Sequence, residues 1–206
     1  MKLLSTILLL LLSLSVYSQN QMKFPIWTFN TNSTTIYGLS LGYMHTQKIR
    51  NVTTNGLRIE ALGFGALIPL MPGSLIATSD SIYNKIINQK TGEIINGINI
   101  SPIGHGGDIS VNGINIYGFG SIITKSNGLS VGLFLNSSQR HNGIQVAILG
   151  NMTYNIKGVQ VAFFNYNENE VVGIQIGIIN KTSKIKGLQI GLWNKNKKRS
   201  LPIINW

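Results

Sequence analysis

Apolar residues fall at every second position through the carboxyl-terminal half of the chain. In GLQIGLWN, residues 187–194, Leu188, Ile190 and Leu192 alternate with Gln189, Gly191 and Trp193. The same octet recurs as GIQIGIIN at 173, GVQVAFFN at 158, GIQVAILG at 143 and GLSVGLFL at 128. A period of two marks a β-strand with two unlike faces, because successive side chains point to opposite sides of a pleated backbone. One face is aliphatic throughout; the other carries glutamine, a small residue and a bulky one. A helix needs apolar residues three and four apart, which this pattern lacks.

Glycines at 38, 56, 97, 113, 128, 143, 158, 173 and 187 lead the units, and from Gly97 onward the steps are 16, 15, 15, 15, 15 and 14 residues. Asparagine precedes the glycine at Asn55, Asn96, Asn112, Asn127 and Asn142, a pair that favours turns. With SLPIINW at 200–206 and FPIWTFNT at 24–31 added, the count is about eleven strands. The fold class is therefore all-β. The expected architecture is an antiparallel meander built from repeats and closed as an up-and-down β-barrel of about 10–12 strands, with a β-solenoid as the alternative.

The choice between the two turns on loops. A solenoid coil has to turn back about three times, whereas one polar segment of six or seven residues separates consecutive octets, which favours the barrel. Eight residues at about 3.3 Å, tilted near 40°, rise about 20 Å against an apolar band of about 25 Å. Two observations pull the other way. Phe134, Phe164 and Trp193 share the glutamine face instead of a lipid-facing girdle, and a solenoid would align Asn165, Asn180 and Asn194 as a ladder. The pattern breaks across about 67–94, where Pro69 and Pro72 exclude a central strand and a helical turn capped by Ser79 or Asp80 is expected.

The first residues, MKLLSTILLLLLSLSVYSQ, have Lys2, then an apolar run too short to span a bilayer, then small or polar residues. Residues 1–18 are read as a cleaved signal peptide and 19–206 as one β-repeat domain, which implies export. The chain has no cysteine, so disulfides and thiolate metal sites are excluded. Charged residues make up 11% of the chain, yet 17 are basic and 6 acidic, a balance that favours anionic partners.

No catalytic motif emerges. His105 and Asp108 in GHGGD lack companion ligands, with only His45 and His141 as further histidines, and Glu168 and Glu170 share a polar segment without an acid/base partner. A non-enzymatic protein is expected, with no cofactor and no metal. The densest positive run is Lys195, Lys197, Lys198 and Arg199 in KNKKRS. It is the candidate contact for an anionic surface: outer-membrane lipid or lipopolysaccharide, or an anionic glycan. Nucleic acid is not expected. The units GVQVAFFN, GIQIGIIN and GLQIGLWN, followed by NKNKKRSLPIINW, resemble uncharacterised surface-repeat proteins exported by Gram-negative bacteria. That resemblance implies envelope or surface placement and names no substrate. An outer-membrane or cell-surface protein is expected; the alternative is a secreted soluble β-repeat protein that binds an anionic glycan or polymer.

Overall fold

The computed structural model describes residues 21–46 and 48–206. The proposed signal peptide, residues 1–18, lies outside the described residues. The strands are β1 (Gln21–Lys23), β2 (Ile26–Thr28), β3 (Thr34–Gly42), β4 (Val52–Glu60), β5 (Glu93–Ser101), β6 (Gly104–Gly106), β7 (Ile109–Tyr117), β8 (Gly120–Gly132), β9 (Leu135–Ala147), β10 (Gly150–Val161), β11 (Phe164–Ile176), β12 (Ile179–Lys195) and β13 (Ser200–Asn205). Every neighbouring pair is parallel except β12 with β13, and the strands follow chain order, with β2 also on β3 and β6 on β8.

The expected closed antiparallel barrel is therefore wrong, and the alternative is right: the chain winds into a parallel β-solenoid of about 11 turns. The error lay in reading NMTYNIK and its equivalents as loops. They are strand, and they supply the first half of β10, β11 and β12. Turning happens within the strands. Gly158 and Gly173 both have φ 140°, a conformation that side chains rarely adopt, and a Cβ on Gly173 would collide with the carbonyl oxygen of Gly158 in the coil below. A second corner follows the small residue of the octet. After buried Ala162, Phe163 and Phe164 both point outward, so strict alternation ends there. This is also how the aromatic residues escape the glutamine face. A third irregularity, between Thr153 and Asn155 and again between Asn167 and Glu170, lets one coil carry an extra residue without disturbing the ladder above it.

Parallel winding stacks identical side chains on one another. Inside the coils Gln145, Gln160, Gln175 and Gln189 are fully buried, and their side-chain amides donate down the row at 2.8–2.9 Å, with Asn205 closing it at 2.9 Å. Asn151, Asn165, Asn180 and Asn194 form a second internal ladder at 2.8–2.9 Å. Within such a ladder each amide donates to one neighbour and accepts from the other, and the Asn151 oxygen is left without a partner where the second ladder begins. Apolar residues such as Ile95, Val111, Ile156 and Val171 fill a third row. The interior is thus largely polar, and the aliphatic half of each octet is turned outward.

The irregular stretch lies between β4 and β5. It holds a 3₁₀ turn (Gly65–Leu70) and helix α1 (Asp80–Ile87), capped by the Ser79 side chain accepting from the Ile82 N–H at 3.3 Å, as expected. It packs over the long arm of the coils. Ile68 rests beside Gly120, the Ala77 N–H donates to Gln139 at 2.8 Å, and Tyr83 stacks on Tyr154 at 4.4 Å. Among the described residues, nothing covers the aliphatic side of the coils formed by the octets. At the far end, antiparallel β13 with Pro202 and left-handed Ile203 (φ 67°) blunts the last sheet edge.

Candidate functional site

The outward half of each octet builds one continuous surface. Register places Ile26, Leu39, Leu57 and so on to Leu188 in one row across ten strands, and Leu41, Ile59, Ile100 and so on to Ile204 in a second. Both rows are aliphatic at every position. With strands about 4.8 Å apart the face runs about 43 Å, and at about 15 Å wide it covers about 600 Å². Soluble monomers rarely expose a contiguous apolar patch of that size without a use for it. Ile144 and Ile190 are 47% and 39% exposed, and Leu192 67%.

The two borders differ. Along the small-residue corner stand Phe119, Phe134, Phe164 and Trp193, all exposed, with Phe119 and Phe134 stacked at 5.4 Å. Along the glycine corner Asn55, Asn96, Asn112, Asn127 and Asn142 form an exposed ladder with links of 2.7–2.8 Å, and Lys157, Val172 and Lys186 continue the row in later coils. One step further out lie Lys125, Arg140 and Lys184, with Glu170 the one acid in that row. Positive charge therefore borders the aliphatic face along its carboxyl-terminal coils, from β8 to β12. Of the 16 basic residues other than Lys2 only Arg58 is buried, whereas Glu60 and Glu93 are buried among the six acids, leaving fifteen cations against four anions at the surface.

Of the anionic-contact candidates, Lys195 ends β12, and Lys197, Lys198 and Arg199 follow in the tight connection to β13. Buried Asn196 holds it: its side-chain oxygen accepts from the Lys198 and Arg199 N–H groups, both at 2.8 Å, and the Lys197 N–H donates to the Ser183 carbonyl at 3.2 Å. The connection is thereby laid against β12, and Lys197, Lys198 and Arg199 line, together with Lys184, Lys186, Ile185 and Trp206, a cleft of about 660 Å³. Lys195 is exposed but does not line it. The sequence reading missed Lys184, Lys186 and Trp206, because only the folded coil brings positions seven or more residues apart to one edge.

The remaining candidates are structural. His105 is fully buried, with its ring nitrogens 3.5 Å from Asn99 and 3.4 Å from Ser121, and burial pushes its pKa down to about 3. Asp108 accepts from the Gly92 N–H at 2.9 Å and from Thr124 at 3.3 Å, apart from His105. Glu168 accepts from the Tyr166 hydroxyl, while Glu170 pairs with Lys186 at 2.9 Å. His141 is buried, which lowers its pKa to about 4. His45 joins a charged cluster that sequence reasoning also missed. Arg58 donates to Glu93 at 2.6 and 3.1 Å, to Glu60 at 3.2 Å and to Asn99 at 2.9 Å, and His45 meets Glu93 at 2.8 Å. Burial alone would raise the Glu93 carboxyl, but Arg58 and His45 hold it below the ordinary carboxylate range. The signal was present in GLRIEALG, where Arg58 and Glu60 occupy the glutamine and small-residue positions of the octet. All five side chains are sealed from solvent, so the cluster serves the fold.

Among the described residues, no group of three or more His, Asp or Glu side chains is placed to hold a metal ion, and no helix is long and apolar enough to cross a membrane. No family model, curated protein or solved structure matches the chain.

Proposed function

We propose that this is a non-enzymatic exported protein of the bacterial envelope whose solenoid lies flat on an anionic lipid surface. The observation that carries the reading is the unbroken aliphatic face with its aromatic border on one side and its basic border on the other. A surface that enters the headgroup region needs these three parts: aliphatic area to leave water, aromatic rings for the interface, and cations for lipid phosphates. The leader-like start of the sequence and the resemblance to exported surface-repeat proteins support placement in the envelope. Burying a third of the face, about 200 Å², contributes about 5 kcal/mol at about 25 cal/mol per Å², and each lysine near an anionic surface adds about 1 kcal/mol.

Flotation with phosphatidylglycerol vesicles tests the proposal. The protein is expected to float with anionic vesicles, more weakly with phosphatidylcholine, and to lose binding at least tenfold on Ile144→Ser/Ile148→Ser/Ile176→Ser, three exposed positions whose substitution leaves the interior intact. A protein that stays with the soluble fraction and sediments as a dimer, dissociated by the same three substitutions, would show that a second copy covers the face and would overturn the lipid reading.

A further inference from the structure

The cleft between β12 and the β12–β13 connection calls for an occupant of its own. Five cations converge on it from two separate segments, Lys184 and Lys186 from the strand and Lys197, Lys198 and Arg199 from the connection. Its one carboxylate, Glu170, is engaged with Lys186 at 2.9 Å. Like charges gathered around one cleft repel, and no anionic side chain among the described residues is paired with Lys184, Lys197 or Lys198. The backbone is not free to relax this crowding, because Asn196 ties the connection down by two N–H bonds at 2.8 Å and its amide also reaches the Trp206 carbonyl at 3.4 Å.

The chemistry of the cations selects among anions. A planar carboxylate is best gripped by a free guanidinium fork, but Arg199 donates to the Trp206 carbonyl at 2.6 Å and stacks on the Trp206 ring at 4.3 Å. What remains are lysine ammoniums, point charges with rotatable donors, suited to a compact anion of high charge. Trp206 is 57% exposed and lines the cleft with Ile185, so the cleft also offers an apolar wall to whatever bears the anion. We infer that the cleft binds a phosphomonoester, either the headgroup of a lipid or a free soluble one. The inference stands apart from docking of the aliphatic face, since a soluble ligand needs no bilayer.

Titration calorimetry with glycerol 3-phosphate, and flotation with phosphatidic acid vesicles against phosphatidylglycerol vesicles of equal total charge, tests both sources. Two variants of equal charge loss are compared: Lys184→Ala/Lys197→Ala/Lys198→Ala in the cleft, and Lys48→Ala/Lys85→Ala/Lys90→Ala away from it. Binding of glycerol 3-phosphate that falls at least tenfold in the cleft variant and less than twofold in the other is the expected result. A preference for phosphatidic acid lost in the cleft variant, without soluble binding, assigns the site to a lipid headgroup. Equal losses in the two variants, equal binding of the dicarboxylate glutarate, or no phosphomonoester binding in either arm refutes the site. None of these results alters the flotation of the wild type on phosphatidylglycerol, which is the separate test of the aliphatic face.

Discussion

Exchange of Gln160 for alanine separates a polar-cored solenoid from any arrangement with the aliphatic face inside. The Gln160 amide donates to Gln145 at 2.9 Å and to Thr153 at 3.1 Å, and its oxygen accepts from Gln175 at 2.8 Å. Truncation leaves the Gln145 oxygen and the Gln175 N–H buried without partners, each costing about 1–3 kcal/mol. Loss of the side-chain methylene groups and the hole they leave adds about 1 kcal/mol, for a total of about 3–7 kcal/mol. Leu188→Ser, on the outward face and already 41% exposed, should cost under about 1 kcal/mol. Urea titrations followed by circular dichroism, with the slope checked for cooperativity across the coils, measure both. If Leu188→Ser destabilises the protein more than Gln160→Ala does, the assignment of inside and outside is wrong.

Two further perturbations probe the buried charges. Arg58→Met leaves Glu60 and Glu93 buried without their cation and should cost about 3–5 kcal/mol at pH 7, read as a drop in urea midpoint; a loss under about 1 kcal/mol would mean that the cluster is hydrated. His141 has a folded-state pKa near 4, below the ordinary 6.5, so the unfolded chain binds its proton first. Stability from this group is full above about pH 6.5 and falls as the pH drops toward 4, by about 3 kcal/mol at pH 4. In His141→Gln the decline in melting temperature between pH 6.5 and 4 should be shallower than in the wild type, and an unchanged slope would place the acid sensitivity elsewhere.

Strand content, repeat length and the two-faced octet were legible in the sequence because a period of two depends only on backbone geometry. The glycine at each corner was legible as punctuation too. Its role was misread: Asn-Gly announced a hairpin, whereas Gly128, Gly143 and Gly158, with φ from 122° to 140°, bend a single strand and let it run on. The deeper error concerned polarity. Asn151, Thr153 and Asn167 read as loop residues because polar side chains ordinarily face water, and nothing in one copy of the unit reveals that the next copy will satisfy them. The ladder becomes visible only when units are stacked, and the clue was their near identity: antiparallel neighbours gain nothing from placing asparagine on asparagine. The cationic cleft was half legible, since KNKKRS stood out as charge while its partners Lys184 and Lys186 were scattered among strand residues.

The polar interior also explains why the exterior can be aliphatic. In a sheet protein whose core is apolar, an equally apolar outer face would erase the difference that sets strand register, because a slip of one residue exchanges the two faces at little cost. Here a slip would carry Gln145, Gln160, Gln175 and Gln189 out to the surface and bring Ile144, Val159, Ile174 and Leu188 in, breaking three amide bonds of 2.8–2.9 Å at once. Register is thus held by the ladders, not by burial of the aliphatic residues. Those residues are released from the task of folding and free to be chosen for what they meet outside, which is why an uninterrupted row from Ile26 to Leu188 reads as a contact surface.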